Sequence, residues 1–216
     1  MNAEILSVGT ELGEVSLRAT AKAKDRESAE EMMCPVISQV QKILGDVIYG
    51  IDEPSLEALT VRLLRERGLT ISLAESCTGG LISKRITDID GASAVYRGGV
   101  NVYTNEAKTT LLGISENFIE AHGVISAEVS AALAENVRRV LKSDIGIGVT
   151  GLAGPGDDGK NPVGTVFVAL SCKEKNYVRA LALGERSGRE RIRAMAANHA
   201  LDMVRRVLTG LAVEKI

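Results

Sequence analysis

The sequence predicts a layered α/β/α protein, in which a domain with a mixed, partly antiparallel sheet follows a small N-terminal β-α-β appendage. Short apolar segments alternate with amphipathic segments through most of the chain, which is typical of strands and helices that pack in layers. Near the C-terminus two apolar runs are separated by a short polar stretch, as in a hairpin. Apolar residues make up 45% of the 216 residues and charged residues 25%, enough to bury a sizeable core.

The appendage comes first along the chain. Residues Glu14–Ala21 alternate apolar and polar side chains, which predicts a half-buried strand. A helix over about residues 26–44 follows, interrupted or bent near Pro35, and Gly45 ends it before the strand-like residues Val47–Tyr49. So short a unit has little core of its own, so we expect it to accompany a larger domain.

A break at residues 52–55 precedes the larger domain, in which strands and helices alternate. In chain order we expect a helix at 56–67 capped by Ser55, a strand at 69–74, a helix at 79–87, a strand at 99–103, a helix at 105–112, a helix at 126–141 that begins at Ser126, a strand at 145–149, a hairpin of strands 163–171 and 177–183, and a final helix at 189–208.

Composition excludes several classes of protein. The 26 Lys and Arg nearly balance the 28 Asp and Glu, and 3% of residues are aromatic, so we expect no nucleic-acid partner. No run approaches the roughly 20 apolar residues of a membrane helix and no signal sequence is evident, which predicts a cytoplasmic protein. The three cysteines and two histidines, His122 and His199, do not form a zinc, disulfide or Ser/His/Asp pattern, so we expect no metal and no cofactor.

A serine lies in the turn between a predicted strand and a predicted helix, Ala74–Gly80. The first N–H groups of a helix are unpaired and can face an oxyanion or a phosphate, which makes Ser76 a candidate nucleophile. The alternative is a plain capping turn, in which the hydroxyl groups satisfy those N–H groups. Cys77 is a rival nucleophile, although the turn contains no histidine to activate it.

A second cluster runs from Gly98 and Gly99 through Tyr103 to Lys108. Tyr103 falls at the end of a predicted strand and Lys108 about one turn into the next helix, so both can face the same cleft. A buried lysine loses its proton more readily and can then act as base to a serine. The alternative for Lys108 is a solvated charge on the helix surface.

A glycine-rich loop, Thr150–Gly156, follows a buried strand, at the end where ligands bind in α/β sheets. Gly146, Gly148 and Gly151 match the dinucleotide pattern G-x-G-x-x-G, but the first two lie inside the strand and no helix follows. Residues 154–160 match G-x-x-x-x-G-K, yet an asparagine replaces the Ser or Thr that would contact magnesium. We therefore reject both nucleotide-binding motifs.

Four arginines surround the start of the last predicted helix, within residues 184–193. Their planar groups suit the recognition of a phosphate or a carboxylate. A charged outer face of a helix is the equal alternative.

These motifs together resemble the C-terminal domain of the CinA (competence/damage-inducible) family, the nicotinamide-nucleotide amidases. The resemblance covers about Pro54 to Thr209 and rests on five segments in the family's order and spacing: Ala74–Gly80, Gly98–Lys108, His122–Ser126, Thr150–Gly156 and Pro162–Thr165. It implies conversion of nicotinamide mononucleotide to nicotinic acid mononucleotide and ammonia without a metal, as part of pyridine-nucleotide salvage. It also implies a homodimer.

The resemblance assigns roles to individual residues. The family's nucleophile matches Ser76 and its general base matches Lys108, with supporting roles for Tyr103 and Thr150. The N–H groups near Cys77, Thr78, Gly79 and Gly80, with Thr150, are expected to hold the oxyanion, and the other residues expected to bind substrate are Gly98, Gly99, Gly151, Ala153 and Gly154. Gapless counting gives Arg189 the place of the family's phosphate-binding arginine, and the glycine-flanked stretch 184–188 leaves Arg186 open.

The front of the chain departs from that domain. Residues 1–12 resemble the first strand and loop of the molybdopterin-binding-like domain of longer family members, most of which is missing, so we expect no pyrophosphatase. Residues 13–52 resemble the family's KH-like module but lack a Gly-x-x-Gly clamp, so RNA binding does not follow. Residues 53–210 are the expected amidase domain. The rival hypothesis is a non-catalytic adaptor that senses a nucleotide and acts in competence or DNA damage.

Overall fold

The computed structural model describes residues 3–9, 13–173 and 175–214, which fall into a first unit, residues 1–52, and a second unit, residues 53–216. Of the expected remnant at residues 1–12, residues 1–2 and 10–12 lie outside the described residues.

The first unit contains strand β1 (Ala3–Gly9), strand β2 (Val15–Ala21) and helix α1 (Arg26–Leu44). The two strands pair antiparallel, and α1 packs on β2. Asp25 caps helix α1, its carboxylate accepting a hydrogen bond from the N–H of Ser28. The helix is continuous through Pro35, where the sequence predicted an interruption or a bend.

The order of elements in this unit differs from the β-α-β order predicted from the sequence. Residues Val47–Tyr49 do not form a strand, because Gly45–Val47 is a short 3-10 turn and irregular backbone follows. The partner of β2 is instead β1, which precedes it, so the unit is β-β-α rather than β-α-β. The apolar run Val47–Tyr49 has three residues, which is too short to sustain a strand, whereas β1 is seven residues long.

The second unit contains α2 (Leu56–Arg67), β3 (Ile71–Glu75), α3 (Leu81–Thr87), β4 (Tyr96–Asn101), α4 (Asn105–Leu112), α5 (Glu116–His122), α6 (Ala127–Val140), β5 (Ile145–Gly151), β6 (Thr165–Ser171), β7 (Asn176–Ala182) and α7 (Gly188–Thr209). Its described strands lie in the order β4-β3-β5-β6-β7. The first three are parallel and β6 runs antiparallel to both neighbours, which confirms the predicted mixed sheet and hairpin.

The helices cover the two faces of this sheet. Helices α2, α3 and α7 pack together on one face, and α4, α5 and α6 pack together on the other. Ser55 and Ser126 cap α2 and α6 as predicted, each accepting a hydrogen bond from a backbone N–H in the first turn. Helix α5, which the sequence did not predict, has seven residues and packs against α4 and α6.

Glycines inside β5 determine how closely α6 approaches the sheet. A Cβ atom at Gly148 would lie 2.5 Å from the N atom of Ala134 and 2.7 Å from Cβ of Leu133, both in α6. Gly146 is crowded by the same helix. The G-x-G pattern rejected above as a nucleotide motif is therefore a packing feature that lets helix and strand backbones touch.

No helix in the described residues is long and apolar enough to cross a membrane.

Candidate active site

A cleft of about 180 Å³ lies where β3, β4 and β5 end. It is lined by Ser76, Cys77, Tyr103, Lys108, Val124, Ile125, Thr150, Gly151, Leu152, Ala153, Gly154 and Arg189. The fold thus brings together the predicted nucleophile, the predicted base and residues from the glycine-rich loop and the last helix. Val124, Ile125 and Leu152 were not among the predicted site residues.

Lys108 is fully buried at the floor of this cleft. It lies in the first turn of α4, where side chains lean toward the helix N-terminus, and its Nζ donates to the carbonyl oxygens of Val102 (2.9 Å) and Thr104 (3.5 Å). The third contact of Nζ is Oγ of Ser76 at 3.5 Å. Burial lowers the pKa of Lys108, and no salt bridge joins it to a described carboxylate.

These contacts specify where the lone pair of a neutral Lys108 amine would point. Two of its tetrahedral directions face carbonyl oxygens, which can only accept, so the two N–H bonds belong there. The remaining direction, toward Ser76 Oγ, is left for the lone pair. The arrangement suits a base that removes the serine proton.

Ser76 is held at the end of β3 by its own backbone. Its N–H donates to the carbonyl oxygen of Val149 in β5 (3.1 Å), and its carbonyl accepts from the N–H of Gly79 (3.1 Å). Only 8% of the residue is exposed. The turn is therefore fixed to the sheet, while the hydroxyl group faces the cleft and Lys108.

The expected oxyanion donors are fewer than the sequence analysis proposed. The N–H of Gly79 is bonded to Ser76, and the N–H of Gly80 donates to Oε2 of Glu75 at 3.0 Å. The backbone N–H groups of Cys77 and Thr78 have no backbone acceptor among the residues that the structure describes. These two N–H groups are therefore the ones in the turn left available for an oxyanion at the Ser76 adduct.

Thr150 does not present its hydroxyl hydrogen to an oxyanion. This buried hydroxyl donates to the carbonyl oxygen of Val124 at 2.7 Å. The bond ties the loop before α6 to the end of β5 and so places Val124 and Ile125 in the wall of the cleft. Sequence could not reveal this bond, because its partners are 26 positions apart.

Arg189 lies across the rim of the cleft. Its guanidinium donates to the carbonyl oxygen of Gly154 (2.9 Å) and to the hydroxyl of Tyr103 (3.0 Å). Of the two arginines left open by the sequence, Arg189 lines the cleft and Arg186 does not. Another arginine of the same cluster, Arg193, was not among the predicted site residues and donates to the carbonyl oxygen of Thr78 in the serine turn at 2.6 Å.

Cys77 lines the cleft but is poorly suited to be the nucleophile. Burial raises the pKa of its thiol to about 12, so the reactive thiolate is rare at neutral pH. The site therefore favours Ser76 over Cys77 as nucleophile, because Ser76 contacts Lys108 and burial keeps the Cys77 thiol protonated.

The remaining predicted substrate-binding residues do not line the cleft: Thr78, Gly79, Gly80, Gly98 and Gly99. At Gly99 a Cβ atom would lie 2.5 Å from the hydroxyl oxygen of Tyr96 and 2.9 Å from that of Ser83, so this glycine makes room for two side chains. Within the described ranges, no group of His, Cys, Asp or Glu residues is arranged to hold a metal ion.

Comparisons with known proteins point to one family for both units. A family model described as the CinA C-terminal domain matches residues 53–208, and one described as the damage-inducible protein CinA KH domain matches residues 7–50. A CinA-like protein of Desulfovibrio desulfuricans is 47% identical over 203 residues, which cover 93% of this chain and 48% of the relative. The chain spans about half the length of the curated relatives it matches.

Solved structures resemble the chain as well. The competence/damage inducible protein CihA from Agrobacterium tumefaciens is 31% identical with a TM-score of 0.66, and the match covers 74% of this chain and 99% of that one. The competence damage-inducible protein A from Klebsiella pneumoniae is 28% identical with a TM-score of 0.68, covering 71% and 95% of the two chains.

Proposed function

The chain belongs to the CinA family, and we propose that its second unit is an amidohydrolase that converts nicotinamide mononucleotide to nicotinic acid mononucleotide and ammonia. The observation that carries the proposal is the buried Lys108 amine in contact with the Ser76 hydroxyl inside a cleft. A lysine without a carboxylate partner, buried beside a serine, is the arrangement of a Ser–Lys nucleophile.

The first half of the reaction forms an acyl-enzyme. Ser76 Oγ attacks the carboxamide carbon while neutral Lys108 takes the serine proton. The tetrahedral oxyanion accepts hydrogen bonds from the N–H groups of Cys77 and Thr78. As the C–N bond breaks, Lys108 returns its proton to the leaving nitrogen, and ammonia departs from the ester on Ser76.

The second half hydrolyses that ester. A water molecule takes the place of ammonia, Lys108 accepts one of its protons, and the oxygen attacks the acyl carbon. The same two N–H groups hold the second oxyanion. The C–O bond to Ser76 then breaks, and Lys108 returns its proton to Ser76 Oγ. The product is released as the carboxylic acid, which loses its proton to water to give the carboxylate.

The cleft offers complementary surfaces for the two ends of the substrate. Val124 and Ile125 form an apolar wall that suits the flat pyridine ring. Arg189 at the rim suits the phosphate, because a guanidinium binds phosphate with two parallel hydrogen bonds. We propose a small-molecule substrate and, from the family, a homodimer, without a nucleic-acid partner.

The alternative is the non-catalytic adaptor. The names of the relatives, which refer to competence and damage, are the observation that favours it. An adaptor that only senses a nucleotide has no need of a base in contact with Ser76, so substitutions at Ser76 and Lys108 separate the two functions.

Ammonia release from nicotinamide mononucleotide tests the proposal. We compare the parent chain with Ser76→Ala, Lys108→Ala and the matched lysine control Lys84→Ala, which removes an exposed lysine of α3 paired with Asp88. Both active-site variants are expected to lose about 10³-fold or more in kcat, and the control to stay within about twofold of the parent. A folded parent chain that releases no ammonia, or a Ser76→Ala chain that still does, contradicts the proposal.

A further inference from the structure

Glu75 is a buried carboxylate to which the proposed reaction assigns no step. It is the last residue of β3, directly before Ser76, and 1% of its surface is exposed. Its Oε2 accepts hydrogen bonds from the N–H groups of Gly80 (3.0 Å) and Ile82 (3.1 Å). Its Oε1 accepts from the N–H (2.8 Å) and the hydroxyl (2.7 Å) of Ser83. The carboxylate therefore satisfies four donors at the start of α3.

The surroundings of Glu75 connect it to β4 as well. The hydroxyl of Tyr96 donates to Ser83 Oγ at 2.8 Å, and that oxygen donates in turn to the carboxylate. Gly99 provides the space for this chain of hydrogen bonds. The carbonyl oxygen of Glu75 accepts from the N–H of Val102 at 2.8 Å, and the carbonyl of Val102 binds the buried lysine. Glu75 thus links the serine turn and α3 to Val102, whose carbonyl oxygen binds Lys108.

We propose that Glu75 is a positioning residue for the amidase reaction: its carboxylate holds the turn so that Ser76 faces Lys108 and the N–H groups of Cys77 and Thr78 face the oxyanion. This inference rests on the proposed function. Glu75 satisfies N–H groups at the start of α3, and the N–H groups of Cys77 and Thr78 remain available to the oxyanion. Its negative charge also lies at the positive end of the helix dipole.

Glutamine cannot replace Glu75 without conflict, although it has the same shape. Each carboxylate oxygen accepts two hydrogen bonds, so a side-chain amide in either orientation places an NH₂ group against two donors. Misplacing a reacting group by about 1 Å can cost about 10²-fold in rate. We expect Glu75→Gln to lower kcat about 30-fold or more and to change KM less than about threefold, because Glu75 does not line the cleft.

The test uses the full chain and a matched acid-to-amide control. Asp144→Asn changes a carboxylate that accepts from the N–H (2.8 Å) and hydroxyl (2.6 Å) of Thr70, just before the opposite end of β3. For each variant we measure kcat and KM by ammonia release, and hydrogen exchange at the backbone amides of Ile82 and Ser83. Glu75→Gln is expected to lose kcat and amide protection together, whereas Asp144→Asn keeps kcat within about twofold.

Each outcome decides the inference. A folded Glu75→Gln chain with kcat within about threefold of the parent overturns it. If that variant does not fold, Ser83→Ala, which removes one of the four hydrogen bonds, replaces it: a loss in kcat of about threefold or more supports the inference, and an unchanged kcat overturns it. A parent chain that releases no ammonia is a failure of the proposed function. The exchange experiment then decides alone, since unchanged amide protection in Glu75→Gln overturns the role of Glu75.

Discussion

Replacing Thr150 by valine separates two roles that this residue can have in the cleft. The hydroxyl donates to the carbonyl oxygen of Val124 at 2.7 Å and is buried, so we assign it to positioning the wall. Valine keeps the shape of threonine and removes the donor. The carbonyl of Val124 then loses its partner, which is expected to destabilise the fold by about 1–3 kcal/mol. In a chain of this length that lowers Tm by roughly 2–4 °C for each kcal/mol.

The kinetic effect follows from the same hydrogen bond. With the wall no longer tied to β5, we expect Thr150→Val to raise KM about fivefold and to lower kcat less than about tenfold. Loss of an oxyanion donor would instead lower kcat about 10²–10³-fold and leave KM unchanged. The two roles therefore predict opposite patterns.

The assays are thermal unfolding followed by circular dichroism and steady-state ammonia release. Thr150→Ser is the matched control, because it retains the hydroxyl and loses one methyl group, and its KM is expected to stay close to that of the parent. A Thr150→Val chain with unchanged Tm and KM and a kcat reduced about 10²-fold would refute the positioning role and restore Thr150 to the oxyanion hole.

Three further predictions follow from the contacts described above. Gly148→Ala is expected to lower the free energy of unfolding by about 3 kcal/mol in urea titrations, because the added Cβ would collide with α6. The control Gly156→Ala, whose Cβ would have no atom within 4 Å, is expected to change that free energy by less than about 1 kcal/mol. In the proposed reaction the base is the neutral amine of Lys108, whose pKa is lowered by burial, so kcat/KM is expected to rise with pH along a limb below the ordinary lysine value of 10.5. Lys108→Arg, which stays charged, is expected to abolish turnover, and a flat pH profile would contradict this role. Iodoacetamide at pH 8 is expected to alkylate the exposed Cys34 and to spare the buried Cys77, whose thiol pKa is raised to about 12. Peptide mass spectrometry identifies the alkylated cysteine, and rapid modification of Cys77 would contradict its burial.

Local signals in the sequence were enough for much of the second unit. Helices α2 and α4 have the predicted bounds, because Ser55 precedes the first and both end at a glycine in the left-handed conformation. The hairpin of β6 and β7 also follows from two apolar runs that are close in sequence. These elements depend on residues a few positions apart, which a sequence displays directly.

The elements that sequence did not reveal depend on distant partners or weak patterns. Helix α5 has only seven residues and one buried side chain, Ile119, so its hydrophobic period is too short to recognise. The pairing of β1 with β2 was not predicted, because residues 1–12 resemble the first strand and loop of a different domain of the family. The apolar residues after Gly45 then suggested a different strand.

The candidate site likewise contains motifs that are visible in the sequence and contacts between distant residues that are not. The turn at Ser76 and the spacing to Lys108 were visible as motifs, and the fold places the two side chains 3.5 Å apart. The contacts of Glu75 and Thr150 were hidden, because Glu75 accepts from the start of a helix that follows the turn and Thr150 bonds to a loop 26 residues away. Arg189 reaches Tyr103 across 86 residues. Such contacts exist only once the sheet has assembled.

The central claim is that Ser76, activated by Lys108, forms an ester with the substrate. The most direct measurement mixes the full chain with nicotinamide mononucleotide, quenches with acid within one turnover, and determines by mass spectrometry which residue carries the added mass. We predict an adduct on Ser76 equal to the substrate minus ammonia, and no adduct in Lys108→Ala. Ammonia released in that interval without an adduct on Ser76, or with the adduct on Cys77, would contradict the account.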